Sequence, residues 1–216
     1  MLKLDGLTVG YNGTAAAGPL FYEYPDGVSV MLRGRNGGGK STLMKTVAGL
    51  LKPVGGSFST GGEVVMVPTR IPKVKGFTVR EFILTGMQGR TGLFGKVSRQ
   101  DKEAVEQAFG RLELSPLADK DISGISDGEF QKACIATALT RKADVILLDE
   151  PTAFLDVDNR VAILRLLREV ARSTGATVMF STHDIHDGAL FADFVLNLDA
   201  PDETIHKKIH PSDLKH

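Results

Sequence analysis

The chain is poor in several residue types, and each shortage excludes a class of protein. Its 216 residues include one cysteine and no tryptophan. A single cysteine cannot form an intramolecular disulfide, which is typical of proteins in a reducing compartment. Lys and Arg together number 26, and so do Asp and Glu. We therefore expect no nucleic acid partner and no general attraction to acidic lipid.

Long apolar runs are also missing. No stretch approaches the roughly 20 apolar residues that a membrane-spanning helix needs. The N-terminus, Met1 to Asp5, lacks the apolar region of a secretory signal. We therefore expect the chain to reach a membrane only through other subunits. Cys134 stands among Ala and Ile in a predicted helix and is expected to be a core residue, not a nucleophile.

The most informative stretch is the glycine-rich segment from Gly34 to Thr42. Two of its glycines are five positions apart and are followed by Lys-Ser, which is the phosphate-loop pattern. The apolar run Val28–Leu32 before it predicts a buried strand. Residues 42–51 after it predict a helix that stops at Gly55-Gly56. Strand, loop and helix are the context that this motif requires, so the sequence predicts a site for nucleotide phosphates.

Each part of the loop has a predicted task. The glycines let backbone N–H groups converge on phosphate oxygens, and the following helix adds its positive dipole end. Lys40 is expected to reach the β- and γ-phosphates, and Ser41 to bind Mg²⁺. The residues expected to bind nucleotide here are Asn36, Gly37, Gly38, Gly39, Lys40, Ser41 and Thr42.

Strand and helix signals alternate, which predicts an α/β domain with a mostly parallel sheet, a P-loop NTPase core. Residues 2–11 and 21–24 are predicted to form an antiparallel β edge around the turn Asn12-Gly13. The predicted core strands are Val28–Leu32, Glu63–Val67, Val145–Leu148, Thr177–Ser181 and Phe194–Leu198. Residues 73–142 show helix signals without strands. We therefore expect a nucleotide-binding core at 1–72 and 143–216, with an inserted helical subdomain at 73–142.

Helix-start signals mark the insertion and the segment beyond it. Capping boxes stand at Thr78, Ser98 and Ser126, and Asp158 is predicted to cap a later helix. The helix after Ser98 is predicted to bury Ala104, Val105, Ala108, Phe109 and Leu112. Residues 86–97 are predicted to form a loop. The polar tail contains His206, His210 and His216, whose spacing predicts no metal site.

Polar residues follow two of the buried strands and point to one site. Asp149-Glu150 follows Leu148, and Thr182-His183 follows Ser181. Ligands bind beyond the carboxyl ends of parallel strands. A buried Asp149 needs a partner, and Mg²⁺ held between Ser41 and Asp149 supplies one. Glu150 is expected to orient or deprotonate the water that attacks the γ-phosphate, and His183 to hydrogen-bond that phosphate.

A second potential anion site lies at the helix that begins after Ser126. Its first turn has free N–H groups, and Gly128 allows close approach. A helical insertion would carry this turn too far from Lys40 to share one phosphate within a chain. A second copy of the protein is therefore needed to bring the two together.

The ordered motifs resemble those of ATP-binding subunits of ABC transporters, from about Leu2 to Leu198. The matching segments are Tyr11 at the adenine-stacking position, Walker A at Gly34–Thr42, the LSGGQ-like signature at Ile125–Glu129, Walker B at Val145–Glu150, the D-loop at Ala153–Asp156 and the switch histidine His183. The resemblance implies a homodimer with two ATP molecules at its interface. Each ATP would lie between one copy's Walker A and the other copy's Ser126 and Gly128. It also implies catalytic roles for Lys40, Glu150 and His183, and nucleotide contacts for Tyr11 and Asp156.

Two residues depart from the family pattern. Thr69 stands where Gln is usual, and its shorter hydroxyl side chain is expected to contact Mg²⁺ or its water. We therefore expect ATP hydrolysis to be slower, or to be coupled differently to the partner subunits. Asp127 stands where the signature has its second glycine. A carboxylate close to a γ-phosphate is repulsive, so Asp127 is expected to turn away and cap its own helix. Lys40 and Glu150 are unchanged, so an active ATPase is expected.

Two segments, 78–86 and 149–156, resemble ATPases of importers for iron chelates, haem and cobalamin. The resemblance implies transmembrane permease subunits as partners, an external substrate-binding protein acting through them, and a place on the cytoplasmic face of the membrane. Three alternatives stay open. They are an exporter ATPase, a soluble non-transport ABC ATPase, and an ATP-binding module with weak hydrolysis. One cassette without a coiled-coil insertion argues against the second, and Glu150 and His183 argue against the third.

Overall fold

The structure is a computed structural model that describes residues 1–87 and 99–200. Most of the predicted loop at 86–97, the capping box predicted at Ser98 and the three C-terminal histidines lie outside the described residues. The strands are β1 (Leu2–Tyr11), β2 (Thr14–Tyr24), β3 (Ser29–Arg33), β4 (Gly55–Thr60), β5 (Val64–Val67), β6 (Val145–Leu148), β7 (Thr177–Ser181) and β8 (Phe194–Asn197). The α-helices are α1 (Lys40–Val47), α2 (Val79–Thr85), α3 (Arg99–Arg111), α4 (Asp127–Thr140), α5 (Val157–Thr174) and α6 (Ile185–Phe191).

The chain forms two compact units. The first, called the sheet unit, comprises residues 1–69, 143–153 and 160–200. The second, called the helical unit, comprises residues 70–87, 99–142 and 154–159. The helical unit thus begins three residues before the predicted boundary and includes a short segment, 154–159, that the sequence analysis assigns to the nucleotide-binding core.

A five-stranded sheet dominates the sheet unit. Its strand order is β5-β6-β7-β3-β8, and every neighbouring pair is parallel. Strands β6 and β7 are buried along their whole length, which explains their continuous apolar sequences. The predicted α/β fold with a parallel sheet is confirmed. Parallel pairing brings the carboxyl ends of β3, β6 and β7 to one edge.

A three-stranded antiparallel sheet, in the order β2-β1-β4, forms the predicted β edge. Asn12 and Gly13 form its turn with positive φ angles of 49° and 79°, as a two-residue hairpin requires. The sequence analysis began β2 at Phe21, which is wrong, because the strand starts at Thr14. It also missed β4, whose Gly and Ser residues have little strand propensity. Backbone pairing with β1 determines β4, with Leu2 opposite Thr60.

Helix α1 starts and stops earlier than predicted. It begins at Lys40 and ends at Val47. Gly49, with φ at 73°, ends it through two backbone bonds of a Schellman motif. Gly49 N–H donates to Thr46 O at 2.9 Å, and Leu50 N–H donates to Lys45 O at 2.8 Å. The predicted stop at Gly55-Gly56 is wrong, because those glycines belong to β4.

Helices α2, α3 and α4 build the helical unit. The capping boxes at Thr78 and Ser126 are both formed, and the predicted apolar face of α3 is buried. The ring centroids of Phe82 and Phe130 lie 5.5 Å apart, so the two side chains pack α2 against α4. Burial raises the pKa of the Cys134 thiol to about 12, consistent with a core residue. Among the described helices, none has the length and apolar character to cross a bilayer.

The N-terminus of α5 corrects one prediction. Asp156 caps this helix, because its Oδ1 accepts from Asn159 N–H at 2.8 Å and its Oδ2 accepts from the Asn159 side-chain amide at 2.9 Å. The predicted cap, Asp158, lies inside the first turn. A carboxylate near a helix N-terminus is favourable whether or not it caps the helix. The sequence alone therefore does not show which of Asp156 and Asp158 is the capping residue.

Candidate functional site

The glycine-rich segment forms a tight loop between β3 and α1. Gly37 and Gly39 have φ angles of 75° and 89°, which side-chain-bearing residues rarely adopt. A Cβ at Gly39 would lie 3.0 Å from Cβ of Ala17, so β2 also requires glycine here. No side chain caps α1. Its first backbone N–H groups are therefore available to an anion.

Lys40 lies across this loop. Its Nζ donates to Gly34 O at 2.6 Å and to Arg35 O at 3.0 Å, and the residue is buried. An ammonium group has three N–H donors. Two of them fix its position, and the third can reach a phosphate oxygen.

Ser181 joins the carboxyl ends of β6 and β7. Its hydroxyl donates to Asp149 Oδ1 at 2.9 Å and accepts from Glu150 N–H at 2.9 Å. Glu150 has φ at 52°, a left-handed conformation that costs a non-glycine residue about 1–3 kcal/mol. The bonds of Ser181 therefore fix a strained turn that carries both carboxylates.

Glu150 and His183 are in direct contact. Glu150 Oε1 lies 2.8 Å from His183 Nε2, with the Glu150 side chain 28% exposed and the His183 side chain 60% exposed. In the same two segments, the hydroxyls of Thr152 and Thr182 are 3.0 Å apart, and both residues are buried. Two polar contacts thus hold the segments after β6 and β7 together.

These groups surround a pocket of about 320 Å³. Its lining consists of Asn36, Gly37, Gly39, Lys40, Ser41, Thr42, Glu150 and His183. The structure therefore brings Glu150 and His183, which follow the phosphate loop by more than 100 positions in the sequence, into one pocket with that loop. Gly38, Asp149 and Thr69 are not in this lining. Asp149 is buried and directly precedes Glu150 in the chain.

The oxygen groups near the pocket suit a hard cation that also binds phosphate. Mg²⁺ is usually held by one or two protein oxygens together with substrate phosphates and water. The Ser41 hydroxyl lines the pocket and the Asp149 carboxylate follows the end of β6, and both are oxygen groups of the kind that this ion prefers. Among the described residues, no cluster of three or more His, Cys, Asp or Glu side chains offers a complete metal site.

Four other predicted nucleotide contacts are not among the lining residues of this pocket. Tyr11 is 48% exposed at the end of β1. Ser126 and Gly128 belong to α4 and its cap, and Asp156 caps α5. A Cβ at Gly128 would lie 2.8 Å from Asn159 Oδ1. A larger residue at this position would therefore require the Asn159 side chain to shift.

The predicted capping role of Asp127 is wrong. Ser126 caps α4, and its hydroxyl accepts from Glu129 N–H at 3.3 Å. The Asp127 carboxylate instead pairs with Lys73, at 2.7 Å between Oδ1 and Nζ. A contact 54 positions apart in the chain leaves no local sequence pattern.

Two residues that support the site were missed in the sequence analysis. Ser181 ends a buried apolar strand, and a hydroxyl at that position was the available signal. Asp199 accepts from Arg35 N–H at 2.8 Å and so supports the phosphate loop from behind. No signal in the sequence identifies Asp199, because the contact depends on how β8 lies beside β3.

We expect Ser181→Ala to reduce the turnover of ATP by about tenfold or more, because the turn that carries Asp149 and Glu150 loses its support. Loss of the buried hydroxyl should also cost about 1–3 kcal/mol of unfolding free energy. Ser29→Ala is the matched control, since Ser29 is fully buried in β3 with bonds to Phe191 O and Asp193 Oδ2. Steady-state kinetics and thermal unfolding check both variants. Equal turnover in the two would contradict the positioning role.

Comparisons with known proteins agree with this geometry. The family model described as ABC transporter matches residues 20–153. The achromobactin transport ATP-binding protein CbrD of Dickeya dadantii is 32% identical over 203 residues, covering 88% of this chain and 76% of that protein. The ferric enterobactin transport ATP-binding protein FepC of Escherichia coli is 32% identical over 210 residues, covering 91% and 78%.

A solved structure supports the same assignment. An inward-facing metal-chelate type ABC transporter superposes with a TM-score of 0.83 at 30% identity, covering 91% of this chain and 79% of that one. The family model spans more than half of the chain, and the residues of its phosphate loop line the pocket with Glu150 and His183. The chain therefore belongs to the ABC transporter family, as an ATP-binding subunit that hydrolyses ATP.

Proposed function

We propose that this subunit powers an importer for an iron chelate or a related metal-containing cofactor. It works as a homodimer on the cytoplasmic face of the membrane, docked to transmembrane permease subunits that receive cargo from an external binding protein. The observation that carries the ATP-driven part is the pocket that joins the phosphate loop to the Glu150–His183 pair. The relatives named for achromobactin and ferric enterobactin transport support the cargo class.

The phosphate loop binds the nucleotide in this proposal. Backbone N–H groups from Asn36 to Thr42 and the third donor of Lys40 contact phosphate oxygens. Ser41 and Asp149 hold Mg²⁺, directly or through water, and the Thr69 hydroxyl contacts that ion or its water. Mg²⁺ supplies positive charge against the phosphates when bound. The bond from Ser181 keeps Asp149 Oδ1 in place and leaves Oδ2 for this task.

Glu150 and His183 act on the attacking water. His183 Nε2–H donates to Glu150 Oε1 and fixes the carboxylate, so Oε2 is left to take the proton of the water. His183 is exposed enough to shift its hydrogen bond to the γ-phosphate once nucleotide is present. In this proposal, Glu150 accepts the proton and His183 contacts the γ-phosphate, so the two roles belong to residues in direct contact.

The second copy completes the nucleotide site. The capping box occupies the hydroxyl of Ser126 and the N–H of Glu129. Within the described residues, the N–H groups of Asp127 and Gly128 donate to no acceptor, so they are the donors that this turn offers to a phosphate. The half-exposed ring of Tyr11 stacks on the adenine, and Asp156 contributes from the start of α5.

The cargo is tested by reconstitution. Membrane subunits that co-purify with the tagged chain are placed in liposomes with ATP inside, and uptake is followed for a ferric siderophore, cobalamin and free zinc. We expect ATP-dependent uptake of the iron chelate or cobalamin. Efflux, or uptake of free zinc alone, would contradict the proposed direction or cargo.

A further inference from the structure

The first turn of α4 carries two carboxylates, Asp127 and Glu129. Acidic residues stabilise a helix N-terminus, but the same charges oppose the approach of a phosphate. The proposed function needs this turn to meet the γ-phosphate of ATP held by a second copy. The two negative charges must therefore be compensated within the helical unit.

Glu129 is compensated by its own cap. Its Oε2 accepts from Ser126 N–H at 2.8 Å and from the Ser126 hydroxyl at 2.8 Å. These bonds lower the pKa of the Glu129 carboxyl and hold it against the chain before the helix. Asp127 has no such arrangement, and its side chain is 66% exposed.

Lys73 is the partner of Asp127. Its Nζ lies 2.7 Å from Asp127 Oδ1, donates to Ile125 O at 2.8 Å and lies 5.3 Å from the centroid of the Phe130 ring. The Lys73 side chain is only 24% exposed. Three contacts on one ammonium group distinguish this pair from a loose surface ion pair, which contributes little. Lys73 is thus fixed at the entrance of α4.

We infer that Lys73 is a positioning residue for ATP-dependent dimerisation: it neutralises Asp127 and so permits the first turn of α4 to accept a phosphate from a second copy. The inference rests on the proposed homodimer. It also explains how this chain tolerates Asp127 at the second glycine position of the signature. In this account, Lys73 matters because Asp127 is present, and it has no part in binding of ATP by a single copy.

The test measures dimerisation in the Glu150→Gln background, in which ATP is expected to hold the dimer. Light scattering gives the ATP concentration at half-maximal dimer for Lys73→Met, Lys73→Arg and the exposed neighbour Lys75→Met. We expect about a tenfold increase for Lys73→Met, because one unpaired charge then faces the phosphate. Lys73→Arg and Lys75→Met should stay within about twofold of the parent, since the charge at Asp127 remains balanced.

A second pair of variants separates charge compensation from folding. In an Asp127→Gly background, Lys73→Met should change the half-maximal ATP concentration by less than about twofold, because no charge is left to balance. Binding of a fluorescent ATP analogue to dilute, monomeric protein should be equal in all variants. Thermal unfolding shows that each variant is folded.

The outcomes are distinct. The inference about Lys73 is overturned if Lys73→Met has no effect on dimerisation. It is also overturned if the effect is equal in the Asp127 and Asp127→Gly backgrounds. Neither result contradicts the proposed homodimer. If the Glu150→Gln parent stays monomeric at saturating ATP, the proposed homodimer itself fails, and the inference fails with it.

Discussion

Glu150→Gln should stop hydrolysis and leave an ATP-bound dimer. Gln keeps the size of the side chain and can still accept the hydrogen bond from His183, which now spans 2.8 Å. It cannot take a proton from water at neutral pH. Loss of a general base lowers turnover by about 100- to 10,000-fold, whereas the phosphate loop and Lys40 are unchanged. ATP should therefore bind normally and remain intact.

Turnover is measured by phosphate release, and the dimer by size-exclusion chromatography with light scattering in ATP and Mg²⁺. Glu169→Gln makes the same chemical change at an exposed position of α5 and should behave as the native chain. Hydrolysis at the native rate by Glu150→Gln would remove Glu150 from its proposed role.

Lys40→Met should weaken nucleotide binding and lower turnover further. Among the described residues that line the pocket, Lys40 is the one Lys or Arg, and two loop carbonyls already hold its ammonium group in place. Removing one positive charge beside the phosphates should weaken ATP affinity by about tenfold or more. Turnover should fall further, because charge accumulates on the γ-phosphate oxygens during transfer.

The control for this change is Lys52→Met, which removes an exposed lysine of the sheet unit. Calorimetric titration with ATP and phosphate release compare the two variants. Native affinity and native turnover in Lys40→Met would show that the phosphate loop is not the nucleotide site.

The sequence predicts those parts of the fold that depend on local patterns. The buried strands β6 and β7, the hairpin turn at Asn12-Gly13 and the capping box at Ser126 all have residues whose chemistry favours one local structure. The alternation of strands and helices predicts parallel pairing, and parallel pairing places the polar ends of β3, β6 and β7 at one edge. The lining of the pocket was predictable for this reason.

The parts that sequence reasoning missed depend on contacts between distant segments. Strand β4 forms because β1 offers it hydrogen bonds, not because Gly and Ser favour a strand. The Ser181 bridge needs β6 beside β7 in register, with Leu148 opposite Phe180. The partner of Asp127 could not be foreseen either, because Lys73 is 54 positions away. Such side-chain pairs require the tertiary structure.

The measurement that tests the account most directly is the rate of ATP hydrolysis per molecule as a function of protein concentration, with Mg²⁺ present. If each ATP is hydrolysed between the phosphate loop of one copy and the first turn of α4 in another, the rate per molecule rises with concentration and then levels off. A rate per molecule that is constant over the whole range would show that one copy hydrolyses ATP alone and would contradict the account.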